Sequence, residues 1–239
     1  MNKYKLTRFI DKYHLGGNVN AVVINSKGDS LTTRFITGDK ALLGELSMNN
    51  WTFEDAELGV YDTEQLSRLL GVLDDDVTLN LTSSGEKAIS VEISDALSKV
   101  NFMLSDKSVI NTPPALKQIP EFQVEIKVDS NFIQRFISGK SALPDTDTFT
   151  VLSDDDGVKL VIGYSSINTN RVTIPVETTE HSNIENVSFN ANLFKDVLVA
   201  NKECESATLE VAEGGLSRIN FKVDDYDVTY YLVAVQDVE

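Results

Sequence analysis

The feature that most constrains this chain is an internal duplication, in which the second half repeats the turn and helix positions of the first. The glycines of its four hairpin-turn signals form two pairs, each 129 residues apart: Gly28 with Gly157, and Gly85 with Gly214. The tripeptide Arg-Phe-Ile at 8–10 recurs at 135–137, an offset of 127 residues. Tyr61-Asp62 aligns with Phe189-Asn190 at an offset of 128. Self-similarity at a nearly constant offset predicts two similar domains.

Each half contains two units, and each unit is a helix followed by a hairpin. Apolar residues recur at helical spacing, on one face, in four segments: 2–15, 62–73, 129–142 and 190–203. Asp62 and Asn190 are suitable N-caps for the second and fourth helices, as is Asp129 or Ser130 for the third. Strands are predicted for alternating or β-branched runs, which include 19–24, 77–81, 89–93, 149–152, 158–162 and 228–235. The expected fold class is α+β, with helices on antiparallel sheets.

A proline-bearing stretch separates the two halves. Residues 105–121 lack periodicity and contain three of the five prolines, Pro113, Pro114 and Pro120. Proline removes a backbone donor and stiffens an extended chain, which is typical of a surface connector. The sequence therefore predicts an N-terminal domain at 1–108, a connector at 109–121 and a C-terminal domain at 122–239.

Composition argues against a membrane or secreted protein. No apolar run approaches the roughly 20 residues that span a bilayer, and no apolar segment follows the basic residues of the N-terminus. The single cysteine, Cys204, allows neither an internal disulfide nor a cysteine cluster for a metal. A cytoplasmic protein with no membrane partner is expected.

Charge is distributed unevenly along the chain. A net charge of −16 argues at first against DNA, because a uniformly acidic surface repels phosphate. The four helical segments, however, carry a net +3, which leaves −19 on the remaining residues. Lys5, Arg8 and Lys12 are expected on one face opposite the apolar stripe, and Lys195 and Lys202 on another. Basic residues are common on any solvated helix, so the pattern leaves open a plain solvated surface and a shared DNA-binding surface.

No catalytic constellation is visible in the sequence. The two histidines, His14 and His181, have no metal-ligand spacing, and a phosphate-binding loop is missing. The aspartate runs at 74–76 and 154–156 coincide with predicted turns, where solvated carboxylates are the better interpretation than ligands for a hard cation. Cys204 has no histidine partner nearby in sequence and is expected to be an inert thiol. We therefore expect a protein that is not an enzyme and binds no metal or cofactor.

Several stretches, taken in order along the two-domain layout, are recognisable. Leu-Gly-Val-Tyr-Asp at 58–62 leads into the leucine-rich second helix, and Ile-Pro-Glu at 119–121 ends the connector. Tyr-Tyr-Leu at 230–232 precedes an acidic tail. Together they resemble the sliding clamp family of DNA processivity factors, which includes proliferating cell nuclear antigen and the clamps of T-even-type bacteriophages. Asp74-Asp75 and the short length look closest to the phage branch.

The resemblance implies a DNA-clamp fold that forms a closed ring of six domains, and hence a homotrimer. Helices would line a channel around duplex DNA, and the ring would tether a DNA polymerase after loading by a clamp-loader ATPase. Contacts to DNA would be non-specific, so the ring could slide. The side chains expected to face DNA are Lys5, Arg8, Lys12, Arg68, Arg135, Lys140, Lys195 and Lys202.

The resemblance also implies a subunit joint and a partner site. The last strand of domain one, at 99–104, would pair with an edge strand of domain two, at 171–176, in the neighbouring chain. The residues assigned to this joint are Val100, Phe102, Leu104, Arg171, Thr173 and Pro175. Partner proteins would dock a short peptide in an apolar pocket between the connector and the C-terminal domain. The residues assigned to this pocket are Leu116, Ile119, Leu216, Tyr231 and Val233, all of which could instead be ordinary core.

Two other classes of protein share some of these features. A structural protein of a phage virion is also strand-rich and oligomeric, but it has no reason to repeat four helices with basic outer faces. An acidic protein that mimics DNA would not concentrate lysine and arginine on its helices. Helix placement therefore favours the clamp over both alternatives.

Overall fold

A computed structural model describes residues 1–85, 87–116, 118–167 and 169–235. The chain divides into two compact units. The first comprises 1–36, 44–114 and 224–227; the second comprises 37–43, 115–223 and the described residues from 228. The main division falls between Pro114 and Ala115, inside the predicted connector.

The described residues of the first half form two α-helices and seven strands. In chain order these are α1 (Lys3–His14), β1 (Val22–Lys27), β2 (Ser30–Ile36), β3 (Leu42–Met48), β4 (Ala56–Val60), α2 (Thr63–Leu70), β5 (Thr78–Ser84), β6 (Lys87–Ser94) and β7 (Lys99–Met103). The strands β3-β2-β1-β4 are neighbours in that order, and β5-β6-β7 form a separate sheet.

The second half repeats this plan, and the part of it that the structure describes has two α-helices and nine strands. These are β8 (Val124–Asp129), α3 (Ser130–Ala142), β9 (Thr148–Asp154), β10 (Gly157–Ile162), β11 (Val172–Pro175), β12 (Thr178–His181), β13 (Ile184–Asn190), α4 (Ala191–Ala200), β14 (Ser206–Ala212), β15 (Leu216–Val223) and β16 (Tyr226–Val233). One run of neighbours is β12-β8-β14-β15-β16, and β11-β10-β9-β13 form a separate sheet.

The predicted duplication is confirmed in the order of elements. Helices α1 and α3 occupy equivalent positions, as do α2 and α4. The β1–β2 hairpin corresponds to β9–β10 and the β5–β6 hairpin to β14–β15, all four of them antiparallel pairs. Gly28, Gly85, Gly157 and Gly215 have positive φ at these turns, which is why glycine recurs there.

Each helix begins at a side-chain cap of the same chemistry. Asn2, Asp62, Asp129 and Asn190 accept hydrogen bonds from backbone amides in the first turn of α1, α2, α3 and α4. Such caps satisfy donors that have no partner inside the helix. Three of the four were expected from the sequence, with Asp129 rather than Ser130 capping α3.

The helices bury their apolar stripes against the sheets of their own unit. In α1 the buried residues include Phe9, Ile10 and Tyr13. The second unit has an aromatic centre, in which the ring of Phe136 from α3 lies edge-on to those of Phe149 and Phe194, at centroid distances of 5.2 and 4.9 Å. Such edge-to-face contacts add to the free energy of burial. Across the described residues, no helix combines the length and apolarity needed to cross a membrane.

Candidate nucleic-acid interface

Arg68, Arg135 and Lys202 present exposed basic groups on or beside three of the four helices. Each arginine is oriented by the residue one turn earlier: the guanidinium of Arg68 lies 3.0 Å from Glu64, and Nε of Arg135 donates to Asn131 over 3.1 Å. Both are exposed i, i+4 pairs, which contribute little to stability and leave donors for another acceptor. Lys195 on α4 is half-buried.

Lys5 and Arg8 on α1 are held in ion pairs by the turn between β15 and β16. Nζ of Lys5 lies 2.7 Å from the carboxylate of Asp225, and the guanidinium of Arg8 lies 2.7 Å from that of Asp224. The turn residues belong to the same compact unit as α1. Nothing in the local sequence places Asp224-Asp225 against α1.

Two of the lysines predicted to face DNA are buried, and for them the prediction of exposure is wrong. Lys12 has no exposed surface, and its ammonium lies 5.3 Å from the ring centroid of Tyr226. Lys140 is 3% exposed, and it donates to the carbonyl oxygens of Leu143 and Pro144 beyond the end of α3. A cation at a helix C-terminus satisfies carbonyls that lack helical partners.

The segments predicted to join subunits are edge strands of their sheets. β7 pairs with β6 on one side, and β11 pairs with β10 on one side. Leu104 donates its amide to Ile89, and Val176 donates its amide to Val158. Because amides alternate in an antiparallel ladder, those of Asn101 in β7 and Thr173 in β11 point away from the sheet.

Side chains along these two strands divide by the same alternation. Val100 and Phe102 are buried in the first unit, whereas Leu104 is half-buried. Arg171, Thr173 and Pro175 are exposed. Pro175 occupies a position whose amide would point outward, so it removes a donor from the free edge without breaking a bond to β10. The two strands thus have the exposed backbone that a strand from another chain could pair with.

A cavity of about 390 Å³ lies beside this edge in the second unit. Its lining residues come from α3 and β11: Gln134, Arg135, Ser138, Gly139, Val172, Thr173 and Ile174. Gly139 allows the close approach of the helix, because a Cβ there would lie 3.0 Å from the side chain of Val172. The cavity is open and mixed in character, and it adjoins the exposed backbone of β11.

The residues predicted to form a partner pocket differ in exposure. Leu116 and Ile119 on the connector are 37% and 44% exposed, and Val233 is 51% exposed. Leu216 is half-buried, whereas Tyr231 is only 7% exposed. The burial of Tyr231 agrees better with the alternative interpretation, in which this residue belongs to the core and not to a pocket.

Backbone hydrogen bonds fix the surroundings of these residues within the second unit. Ala234 donates its amide to Gly215 over 2.7 Å, which brings the residue after Val233 to the residue before Leu216. The connector leads into Phe122, whose ring lies 4.7 Å from the guanidinium of Arg218. Hydrogen bonds from Arg218 to Glu210 raise the pKa of the guanidinium, so its charge is permanent.

The described residues hold no group of three or more His, Cys, Asp or Glu side chains positioned for a metal ion. Burial lowers the pKa of His14, which favours its neutral form. Cys204 is buried, and its thiol contacts the carbonyl oxygen of Ser206 at 3.2 Å. His14 and Cys204 therefore resemble ordinary buried or partly buried residues of a folded protein.

Comparison with known proteins gives the fold. No family model matches the sequence, and no curated protein matches it. Among solved structures, the crystal structure of the proliferating cellular nuclear antigen from Entamoeba histolytica matches with a TM-score of 0.75. The match covers 98% of this chain and 96% of that one, at 15% sequence identity. The chain has the sliding clamp fold.

The sliding clamp fold accounts for the duplicated layout and for the α+β class, and both predictions are confirmed. An identity of 15% shows the fold alone. The closer resemblance to phage clamps stays a prediction, as do the individual DNA-facing, joint and pocket residues.

Proposed function

We propose that this chain is a sliding clamp, a non-enzymatic processivity factor that encircles duplex DNA and tethers a DNA polymerase. The observation that carries the proposal is the set of four equivalent helices, each capped in the same way, in a chain whose net charge is −16. The helices hold an excess of basic residues while the remaining chain is strongly acidic. An inner basic lining with an acidic exterior would bind phosphate without attracting other DNA.

The proposed ring contains three copies, joined where β7 of one chain pairs with β11 of the next. Two edge strands with outward-pointing amides support this joint, since an unpaired edge otherwise leaves donors and acceptors without a protein partner. The cavity beside β11 would then be covered by the neighbouring copy. A ring of this kind depends on topology for retention on DNA, so modest contacts are sufficient.

The proposed partners are a DNA polymerase and a clamp-loader ATPase, which would dock short peptides at the exposed connector. Leu116, Ile119 and Val233 support this site, because exposed apolar side chains that lie together commonly mark a binding surface. One or two aromatic or aliphatic side chains of the partner peptide would supply most of the affinity. The chain would act in the compartment that contains the DNA it encircles.

The central test combines native mass spectrometry with retention on circular DNA. A chain of 26.4 kDa is expected to appear as a trimer. After loading on a nicked circle, the protein should stay bound at high salt and be released when the circle is cut. A phage structural protein would show no dependence on the circle. Release that ignores DNA topology would refute the proposal.

A charge-reversal pair tests the proposed lining. Arg68→Glu with Lys202→Glu changes two exposed positions, one on α2 and one just after α4, while Lys27→Glu with Lys40→Glu makes the same change of charge at exposed positions away from the helices. The first pair should impair loading and polymerase stimulation with the trimer intact, and the second should not. Equal effects of the two pairs would show that only net charge matters.

A second pair tests the peptide site. Ile119→Ser, at an exposed position, should weaken polymerase binding and leave both trimer mass and thermal stability unchanged. Val109→Ser is the matched control. Val109 is also an exposed aliphatic residue, 60% accessible, and it lies at the start of the connector. Binding that survives Ile119→Ser would remove this residue from the site.

A further inference from the structure

The turn between β15 and β16 presents two carboxylates to α1. Asp225 is fixed from several directions: its carboxylate accepts hydrogen bonds from Lys5 and from the amide side chain of Asn50, each over 2.7 Å. Its carbonyl oxygen accepts the backbone amide of Asn49 over 2.9 Å. Lys5 and Asn50 lower the pKa of Asp225, so this carboxylate is charged at neutral pH.

Arg8 is enclosed more fully than Lys5. Its side chain is only 16% exposed, and its guanidinium lies 4.7 Å from the ring centroid of Tyr226 and 5.6 Å from that of Tyr4. Asp224, which pairs with it, is 66% exposed. Asp224 has a φ of 52°, a conformation that non-glycine residues adopt rarely and that here presents the carboxylate toward α1.

The turn is anchored at three further points besides the ion pairs, of which one is on α1. The hydroxyl of Tyr226 donates to the carbonyl oxygen of Lys5 over 2.8 Å, and Asn49 and Asn50 hold Asp225 from the other side. A turn fixed in this way returns to the same position when an ion pair opens. Such a turn can act as a competitor that is always present at a high local concentration.

We propose that the Asp224–Asp225 turn is a built-in phosphate mimic, which occupies Lys5 and Arg8 and competes with the DNA backbone for them. This inference rests on the proposed function, because it matters only if α1 lies near DNA. Two carboxylates neutralise two cations, so α1 contributes less to DNA affinity than its sequence indicates. The resulting weak contacts would favour sliding over static binding.

The alternative role is purely structural, in which the ion pairs only hold the turn against α1. The two roles predict opposite results when the carboxylates are removed. A structural contact would lower stability and leave DNA affinity unchanged or reduced. A competitor would raise DNA affinity, because freed cations become available to phosphate.

The test measures binding to a short linear duplex by fluorescence anisotropy over a range of salt concentrations. Asp224→Asn removes the charge that faces Arg8 at an exposed position, and Asp224→Asn with Asp225→Asn removes both. For each cation freed, we expect binding about threefold tighter at low salt and a salt slope steeper by about 0.9. The control is Asp155→Asn with Asp156→Asn, which makes the same change of charge in the β9–β10 turn.

Several outcomes overturn the inference. Equal gains in the two double variants would show a general effect of net charge, and an unchanged or weaker affinity in Asp224→Asn would show a structural contact. Thermal melting of each variant verifies that the chain is folded, and the single variant keeps the anchored Asp225 intact. If even the wild type forms no ring and is not retained on circular DNA, the proposed function fails. If the ring loads but the variants bind as the wild type does, only this inference fails.

Discussion

At the scale of single residues, Gly44 in β3 shows how closely the first unit is packed. A Cβ built on Gly44 would overlap the ring of Phe35 on the neighbouring β2. Phe35 is 1% exposed and its ring lies 6.3 Å from that of Tyr13 on α1. The ring of Phe35 therefore occupies the space that a side chain at Gly44 would fill, and it also lies next to Tyr13 of α1. Glycine in a strand often marks such a close approach.

The replacement Gly44→Ala is therefore expected to destabilise the protein. The added methyl group displaces a ring that is confined on both sides, at a cost of about 1–3 kcal/mol. Chemical denaturation measures this change in the free energy of unfolding. Gly38→Ala is the control, because a Cβ at Gly38 meets no atom within 4 Å. An equal loss in both variants would mean that backbone effects, and not the ring of Phe35, cause it.

The buried lysines show where residue-level prediction from sequence ends. Helical periodicity identified the apolar face of α1, but Lys12 lies on the flank of that face and not opposite it. Whether a flank is covered depends on Tyr226, which is more than two hundred residues away in sequence. Lys140 is covered because its long chain folds back onto carbonyls after the end of α3. The neighbour of Lys12 cannot be read from local spacing, whereas the carbonyls that Lys140 binds lie three and four residues further along the chain.

At the scale of elements, the helix caps link the duplication to stability. The carboxylate of Asp129 accepts the amide of Phe132 over 2.7 Å at the start of α3. Phe132, Ile133 and Phe136 follow at once and are buried, so the position of the first turn fixes the packing of the whole stripe. The same chemistry at Asn2, Asp62 and Asn190 makes the four helices equivalent.

Asp129→Ala should lower the free energy of unfolding by about 1 kcal/mol, since the cap is lost and an amide is left without its acceptor. Asp129→Asn keeps an oxygen in the same place and should cost much less. Thermal unfolding followed by circular dichroism compares the two. A large loss in Asp129→Asn as well would point to the charge of Asp129, and not to its cap, as the stabilising feature.

Elements with a periodic sequence were predicted well, and irregular ones were not. The strands that form β9 and β10 have alternating or β-branched runs, so their positions followed from the pattern. Residues 178–186 contain β12 and the start of β13, yet their polar composition shows no alternation. Those short strands form because neighbouring strands supply partners for their backbones. A bulge in the pairing of β12 with β8 breaks the period further.

At the scale of the whole molecule, the free edges of β7 and β11 carry backbone amides that point away from their sheets. A strand from another chain would be needed to pair with them. Which strands lie at an edge depends on sheet order, and sheet order depends on contacts between segments far apart in sequence. The edge positions here became visible only in the folded chain. The assignment of these segments to a joint came from the family resemblance, and its test lies in the assembly.

Thr173→Pro should weaken the proposed trimer, because it removes an outward amide from β11 while leaving the bonds to β10 in place. The loss of one hydrogen bond at each joint costs about 1 kcal/mol. Native mass spectrometry over a range of concentrations should detect dissociation at higher protein concentration than in the wild type. Thr173→Val retains the amide and serves as the control. A trimer unaffected by Thr173→Pro would exclude β11 from the joint.

Pro175 has a consequence for how a ring of this kind would exchange on DNA. A closed ring on a continuous duplex can leave only if one joint breaks, so the joints set a kinetic barrier as well as a binding energy. Pro175 supplies no backbone hydrogen-bond donor at the free edge of β11. Because every copy carries this proline, each joint would lack the same hydrogen bond. Opening would then be equally easy at all three joints, and a loading enzyme could begin at whichever joint it meets first.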